Sequence, residues 1–202
     1  AAPKFAAAVT KTMQQLGMAG GRFAVDLVAT DAPQSFGNET VEFLVAGHAG
    51  TTPRPLAKVA SGGELSRIAL AVAVVGIEPQ GEHAPATLIF DEVDAGIGGA
   101  VAETVGRLMK QLGSGRQVLA VTHLPQVAAC ADHHFVVRKK QADGAATSAV
   151  DGVAGEARVA EIARMLGGEK LSSTSLAHAQ EMLASGAEDS APAKRPTRKA
   201  AS

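Results

Sequence analysis

The sharpest chemical signal in the chain is a pair of adjacent carboxylates, Asp91 and Glu92, delivered by the apolar run Thr87-Leu88-Ile89-Phe90. That run is long enough only for a buried strand, and α/β sheets place ligands at the C-terminal ends of their strands. One carboxylate there can help hold Mg²⁺ while its neighbour orients and deprotonates an attacking water, the division of labour of phosphoryl transfer. Acidic residues after a strand also serve merely to solubilise a loop or cap a helix. Upstream, Ser61-Gly62-Gly63-Glu64 opens an apolar helical run. Paired glycines let backbone N–H groups approach an anion with no Cβ in the way, and a helix starting there adds the positive end of its dipole. The alternative is an N-capping serine beside a flexible glycine pair. Downstream, Thr122-His123 follows a second apolar run, Gln117 to Val121, so a neighbouring strand would bring an imidazole close to Asp91 and Glu92. A lone histidine at a strand end is more often structural than catalytic. The order of the three signals is more specific than any one of them.

The elements that must position these groups are readable from periodicity. Phe5, Val9, Met13 and Leu16 form a helical stripe that stops at Gly17, so residues 1–17 read as a helix end. Phe23, Val25 and Leu27, then Val41, Phe43 and Val45, alternate with their neighbours as strands do. The turn-rich stretch Asp31 to Glu39 between them predicts an antiparallel pair. Leu65 to Val75 reads as a helix ended by Gly76, Thr87 to Phe90 as a strand, and Ala100 to Leu112 as a helix. Gln117 to Val121 is a second buried strand, Leu124 to Cys130 a short helix, and Phe135 to Arg138 a further strand. Glu156 to Leu166 and Thr174 to Leu183 are closing helices. Strands alternating with helices argue for an α/β sheet.

Composition bounds the function classes. The 202 residues are 46% apolar, enough to bury a core, and no stretch approaches the roughly 20 apolar residues of a membrane span. The Ala-rich start has neither the cationic segment nor the apolar block of a signal peptide, and a single cysteine, Cys130, excludes an internal disulfide framework. A soluble protein of the reducing cytosol, with no membrane partner, is expected. The net charge of −1 hides an asymmetry, because no acid follows Asp189 while Lys194, Arg195, Arg198 and Lys199 do. The body is therefore acidic, which gives no bulk electrostatic warrant for nucleic-acid binding. Residues 185–202 read as a disordered basic tail that touches DNA phosphates at most nonspecifically. Cys130, His133 and His134 lack a second ligand group at metal-site spacing, so a buried cysteine beside exposed histidines is expected. Arg67, one turn after Glu64, reads as an ion-pair or interface residue.

Together these blocks resemble the ABC-type ATPases. Ser61-Gly62-Gly63-Glu64 resembles their signature motif, Thr87 to Glu92 a Walker B strand, Asp94-Ala95-Gly96 the D-loop, and His123 the switch histidine. Within that superfamily, four collinear blocks are similar to the C-terminal part of the RecN family, bacterial SMC-like DNA repair proteins. They are Leu56 to Arg67, Phe90 to Gly99, Val121 to Ala128 and Ala163 to Gly168. The likeness runs from about residue 5 to 184. The fold class it implies is α/β: the C-terminal lobe of an ABC/SMC-type P-loop ATPase head, with an N-terminal antiparallel strand pair and a helix end from a coiled coil. Residues 1–17 would be the returning coil and residues 18–184 the lobe.

The resemblance further implies heads that sandwich two ATP molecules in a homodimer. Asp91 would support Mg²⁺, Glu92 would be the general base, and His123 would contact the γ-phosphate. Ser61, Gly62, Gly63 and Glu64 would close over the ATP of the opposite head, with Asp94 at the seam. Implied partners are the N-terminal half of the same head, the second head, and DNA, in a bacterial cytoplasm beside the nucleoid. One departure matters: the chain has no G-x-x-x-x-G-K-[ST], and Gly167-Gly168-Glu169-Lys170 has neither its spacing nor a preceding strand. The phosphate-cradling lysine is therefore expected in an N-terminal half beyond the coiled coil. ABC transporter ATPases share these motifs, but they carry Walker A in a continuous domain and a Gln-rich signature. A non-catalytic module is disfavoured by intact Asp91, Glu92 and His123.

Overall fold

The stripe Val9, Met13 and Leu16 is fully buried along one side of helix α1 (Ala2–Gln15), whose Pro3 sits in the first turn where its missing N–H costs nothing. Gly17, with φ +83°, ends the helix. Strand β1 (Arg22–Gln34) then pairs antiparallel with β2 (Gly37–Ala46), and a two-residue β3 (Arg54–Pro55) adds to the far edge of β2. The register sets Phe23 opposite Val45 and Val25 opposite Phe43, so one face is apolar, and Phe5 of α1 packs on it. The Phe5–Phe23 and Phe23–Phe43 ring centroids lie 6.0 and 5.3 Å apart. The strands run further than their sequence suggests. Asp31 to Gln34 and Gly37 to Glu39 are extended, around a register break between Ala29 and Gln34. There Thr30 Oγ1 lies 2.9 Å from Ala32 O and 3.1 Å from Asn38 O, so a side chain takes over from the interrupted ladder.

The computed structural model from which these elements are read describes residues 1–35, 37–59, 61–76, 85–142, 145–168 and 171–188.

On the other side of β1, Thr10 covers the open edge: its Oγ1 accepts the Phe23 N–H at 2.9 Å and lies 3.3 Å from the Phe23 carbonyl. Thr10→Val keeps the shape and strands both backbone groups. We expect it to cost about 1–2 kcal/mol of stability, read as a lower urea midpoint at unchanged m-value.

After a single 3₁₀ turn at Leu56–Lys58 comes α2 (Gly62–Gly76), with Ile68, Leu70 and Ala71 fully buried. Strand β4 (Thr87–Phe90) leads through α3 (Gly99–Gly113) to β5 (Gln117–Ala120), and β4 and β5 pair in parallel with Leu88 opposite Val118 and Phe90 opposite Ala120. This is the expected βαβ unit, but its strands are not buried on both faces. Leu88, Phe90 and Val118 turn toward the core, whereas Ile89 is 70%, Leu119 42% and Val121 63% exposed. Alternation along the pleat explains this: a run apolar at every position suits a sheet covered twice, and among the described residues only one face is covered. Among the described residues the strands also fall into three sheets, of three, two and two strands, rather than one.

These elements belong to the first of two compact units, Ala1–Ala128; the second is Ala129–Ser202. In the second, β6 (His134–Ala142) pairs antiparallel with β7 (Ala145–Val153), a strand the sequence did not announce. Helices α5 (Gly155–Gly167) and α6 (Ser173–Glu188) follow, burying Ile162, Ala163 and Ala179. Arg158 donates to the carbonyls of Ala129 and Ala131, at 3.4 and 2.5 Å, closing the end of the short helix α4 (Pro125–Cys130). Cys130 is buried, His133 exposed and His134 half-buried. Among the described residues no group of three His, Cys, Asp or Glu side chains could hold a metal ion, and no helix is long and apolar enough to cross a membrane. Helix α6 continues through residues 185–188, and the basic cluster Lys194 to Lys199 lies outside the described residues.

Candidate functional site

The motif residues converge on the turn that follows β4. Parallel pairing of β4 with β5 carries one step further, Val121 donating its N–H to the Phe90 carbonyl at 3.0 Å, so the two strands release their chains side by side. From β4 emerge Asp91 and Glu92, both exposed, then Val93 and Asp94, both buried. The Glu92 N–H donates to Asp91 Oδ1 at 2.9 Å, and the Ala95 N–H closes a turn onto the Glu92 carbonyl at 3.1 Å. Glu92 is held at φ +54°, the only non-glycine residue among those described in the left-handed region. A residue other than glycine is strained there, and such strain concentrates where a side chain must be aimed.

Helix α2 begins against this turn. Ser61 is its N-cap: the Glu64 N–H donates to Ser61 Oγ at 3.3 Å and the Leu65 N–H to the Ser61 carbonyl at 3.0 Å. The capping role is therefore real, and it coexists with an open approach, since Ser61 and Gly62 are both exposed. Neither glycine is merely flexible. A Cβ on Gly62 would run into the Glu92 carboxylate, and one on Gly63 would come within 2.9 Å of the Ala95 Cβ. Glu92 thus sits beside the positive end of α2. Glu64 turns aside, its Oε1 3.6 Å from His48 Nε2.

Two further bonds, absent from the sequence reading, fasten α2 to the turn. Ser66 Oγ donates to the Asp91 carbonyl at 2.6 Å, and Arg67 Nη1 donates to the Ala95 carbonyl at 2.7 Å. Arg67 is buried, and burial pulls its guanidinium below the usual arginine range, opposed by the nearby Glu64 carboxylate. Buried, it clamps α2 to the turn, and the nearby Glu64 carboxylate agrees with the ion-pair reading rather than the interface one. The only sequence signal for either bond is that polar residues stand one helical turn inside an otherwise apolar helix.

From β5 come Thr122 and His123. Thr122 Oγ1 donates to Asp94 Oδ2 at 2.5 Å, the His123 N–H donates to the same oxygen at 3.1 Å, and His123 Nδ1 lies 3.3 Å from it. Asp94 is 2% exposed, so its carboxylate faces inward onto these two residues. The His123 ring itself is largely exposed. The structure therefore brings Gly62 to Glu92, Ser66 to Asp91, Gly63 and Arg67 to Ala95, and His123 to Asp94.

With this geometry, the chain can be set beside known proteins. No protein-family model matches it. It is 45% identical over 185 residues to the DNA repair protein RecN of Xylella fastidiosa (strain Temecula1 / ATCC 700964), covering 91% of this chain and 33% of that protein. It is 44% identical over 194 residues to the DNA repair protein RecN of Treponema pallidum (strain Nichols), covering 92% and 33%. The chain belongs to the RecN family. It spans about a third of the length of these curated family members. Among solved structures, the Smc head domain with a coiled coil and joint from Pyrococcus yayanosii superposes with a TM-score of 0.52 at 22% identity, over 78% of this chain and 28% of that one. That likeness gives the fold of this RecN-family chain: part of an SMC-type head.

Proposed function

We propose that the chain is the C-terminal lobe of an ATPase head that hydrolyses ATP through head pairing in bacterial DNA repair. The observation that carries this reading is the convergence of Asp91 and Glu92 with the start of α2 and with His123 on one turn. The RecN-family relatives, DNA repair proteins of Xylella fastidiosa and Treponema pallidum, support the setting.

The donor set fits Mg²⁺. Mg²⁺ takes oxygen ligands, usually one or two carboxylates with phosphates and water, and Asp91 offers carboxylate oxygen on an exposed turn. When bound, the ion would neutralise charge on the phosphates. Glu92 then accepts the proton of the attacking water, its carboxylate lying beside Gly62 at the start of α2. The His123 ring, largely exposed, would contact the γ-phosphate. Ser61, Gly62 and Gly63 offer N–H groups and a hydroxyl at a helix start, and in the proposed homodimer they close over the ATP of the opposite head.

The lysine-bearing phosphate cradle belongs to the N-terminal half of the head, which we place on the bare apolar face of β4 and β5 formed by Ile89, Leu119 and Val121. DNA contacts are proposed for the assembled protein. A cytoplasmic, nucleoid-associated location follows from that role.

The test is steady-state phosphate release. The 202-residue chain alone is expected to show no appreciable ATPase activity, because carboxylates cannot replace the P-loop lysine. Adding the N-terminal half should bring turnover. Activity of the isolated chain at the full-length rate, with Asp91→Asn excluding contaminants, would overturn the split-head reading.

A further inference from the structure

We propose that Asp94 is the positioning residue for His123, holding its imidazole with the proton on Nδ1 and the Nε2 edge presented outward. A single buried oxygen, Asp94 Oδ2, gathers three groups from two consecutive residues: the Thr122 hydroxyl, the His123 N–H and, at 3.3 Å, His123 Nδ1. An ionised carboxylate only accepts, so its nearness favours a hydrogen on Nδ1 over a lone pair that would face it in repulsion. In a neutral imidazole that leaves the lone pair on Nε2. The contrast in exposure gives the device its purpose. His123 has 73% of its side chain in solvent, where a ring would turn freely, while the Asp94 beside it is 2% exposed. Asp94 is itself locked into the chain, since the Ile97 N–H donates to its carbonyl at 3.4 Å and Val93 beside it is fully buried.

Thr122 completes the frame. Its Oγ1 gives its hydrogen to Asp94 and accepts the Leu124 N–H at 3.0 Å, so the same carboxylate fixes the backbone on both sides of His123. A carboxylate orienting a working histidine through the far ring nitrogen is a recurring arrangement, because it decides both tautomer and ring direction. Here it also ties the histidine to the turn that carries Asp91 and Glu92. Asp94 thus acts inside its own lobe, through His123. This deepens the ATPase reading and rests on it only for the catalytic consequence.

Two measurements keep the proposal and that reading apart. The first is nitrogen NMR of the 202-residue chain with labelled imidazoles, which needs no nucleotide. At alkaline pH, where imidazoles are neutral, wild type is expected to show the Nδ1–H tautomer. Asp94→Ala should convert it mainly to Nε2–H, and Asp94→Asn, whose amide oxygen can replace Oδ2, should restore Nδ1–H. A wild-type Nε2–H tautomer would overturn the proposal without any variant, and so would a tautomer unmoved in a folded Asp94→Ala chain.

The second uses the full-length protein. Asp94→Ala is expected to lower kcat about 10- to 100-fold, the usual effect of losing a group that orients an active-site ligand, with the KM for ATP changed less than about twofold. In a His123→Ala background it should add almost nothing, because Asp94 acts through that ring. Losses that multiply would overturn the proposal. A His123→Ala protein with undiminished turnover would instead sink the role given to His123 in hydrolysis, while the tautomer result would stand.

Discussion

Glu92→Gln in the full-length protein is expected to lower ATP turnover at least about 100-fold while ATP still binds. The amide keeps the shape of the side chain but cannot accept the proton of the attacking water. Glu92 is the exposed second carboxylate of the turn after β4, on a backbone held at φ +54° and next to Gly62 at the start of α2. Glutamine can occupy that place without disturbing the fold, because no core packing depends on the carboxylate. Paired, ATP-loaded heads should then accumulate, visible as a larger species by size exclusion only when ATP is present. Turnover within about tenfold of wild type would exclude Glu92 as the base, being a smaller loss than general-base removal produces.

Ser61→Arg should have an effect of similar size by another route. Ser61 is exposed and caps α2 through its hydroxyl, so arginine there loses the cap, at about 1 kcal/mol, and fills the approach to the helix start. ATP binding to a single head should survive, whereas ATP-driven pairing and turnover should fall to background. Mixing makes the test decisive. A head with Ser61→Arg still offers its own ATP to an intact signature on a partner whose P-loop is disabled, so the pair retains one working composite site and recovers part of the activity. Loss of ATP binding by the single head, or no recovery despite demonstrated heterodimers, would show that Ser61 does not act across the interface. Ser61→Ala, which loses the cap without filling the approach, separates the helix effect from obstruction.

The elements around the site were legible because their signals are local. Thr87 to Phe90 is bounded as read, Ala100 to Leu112 gains one residue at each end, and α2 opens within Ser61-Gly62-Gly63-Glu64. Strand β7 was not legible: Ala145 to Val153 is mostly small and polar residues with weak strand preference, and its conformation is set by pairing with β6, opposite Val136 to Arg138 among others. The burial of β4 and β5 was misread for a different reason. Ile89 and Leu119 carry the composition of a sheet covered on both faces, and composition reports the covering a strand is suited to, not the covering present. Within the site, the order of Ser61, Asp91, Glu92 and His123 pointed to convergence. The bonds of Asp94 to Thr122 and His123 did not announce themselves, since they depend on the register that sets Phe90 opposite Ala120, and register is not a local property.

The bare face of β4 and β5 sets a hazard for biosynthesis. Ile89, Leu119 and Val121 stand in water on a parallel pair that, among the described residues, has no third strand on either side. Unpaired backbone edges beneath exposed aliphatic side chains template pairing with whatever strand arrives first. On the proposed split-head reading, a polypeptide that makes this lobe before its N-terminal complement has docked runs a race between closure and sticking to another nascent copy, and the balance tips toward aggregation as concentration rises. Quality control on such a protein would act on the open sheet, so its abundance in a cell should follow the speed of docking more than the stability of the lobe itself.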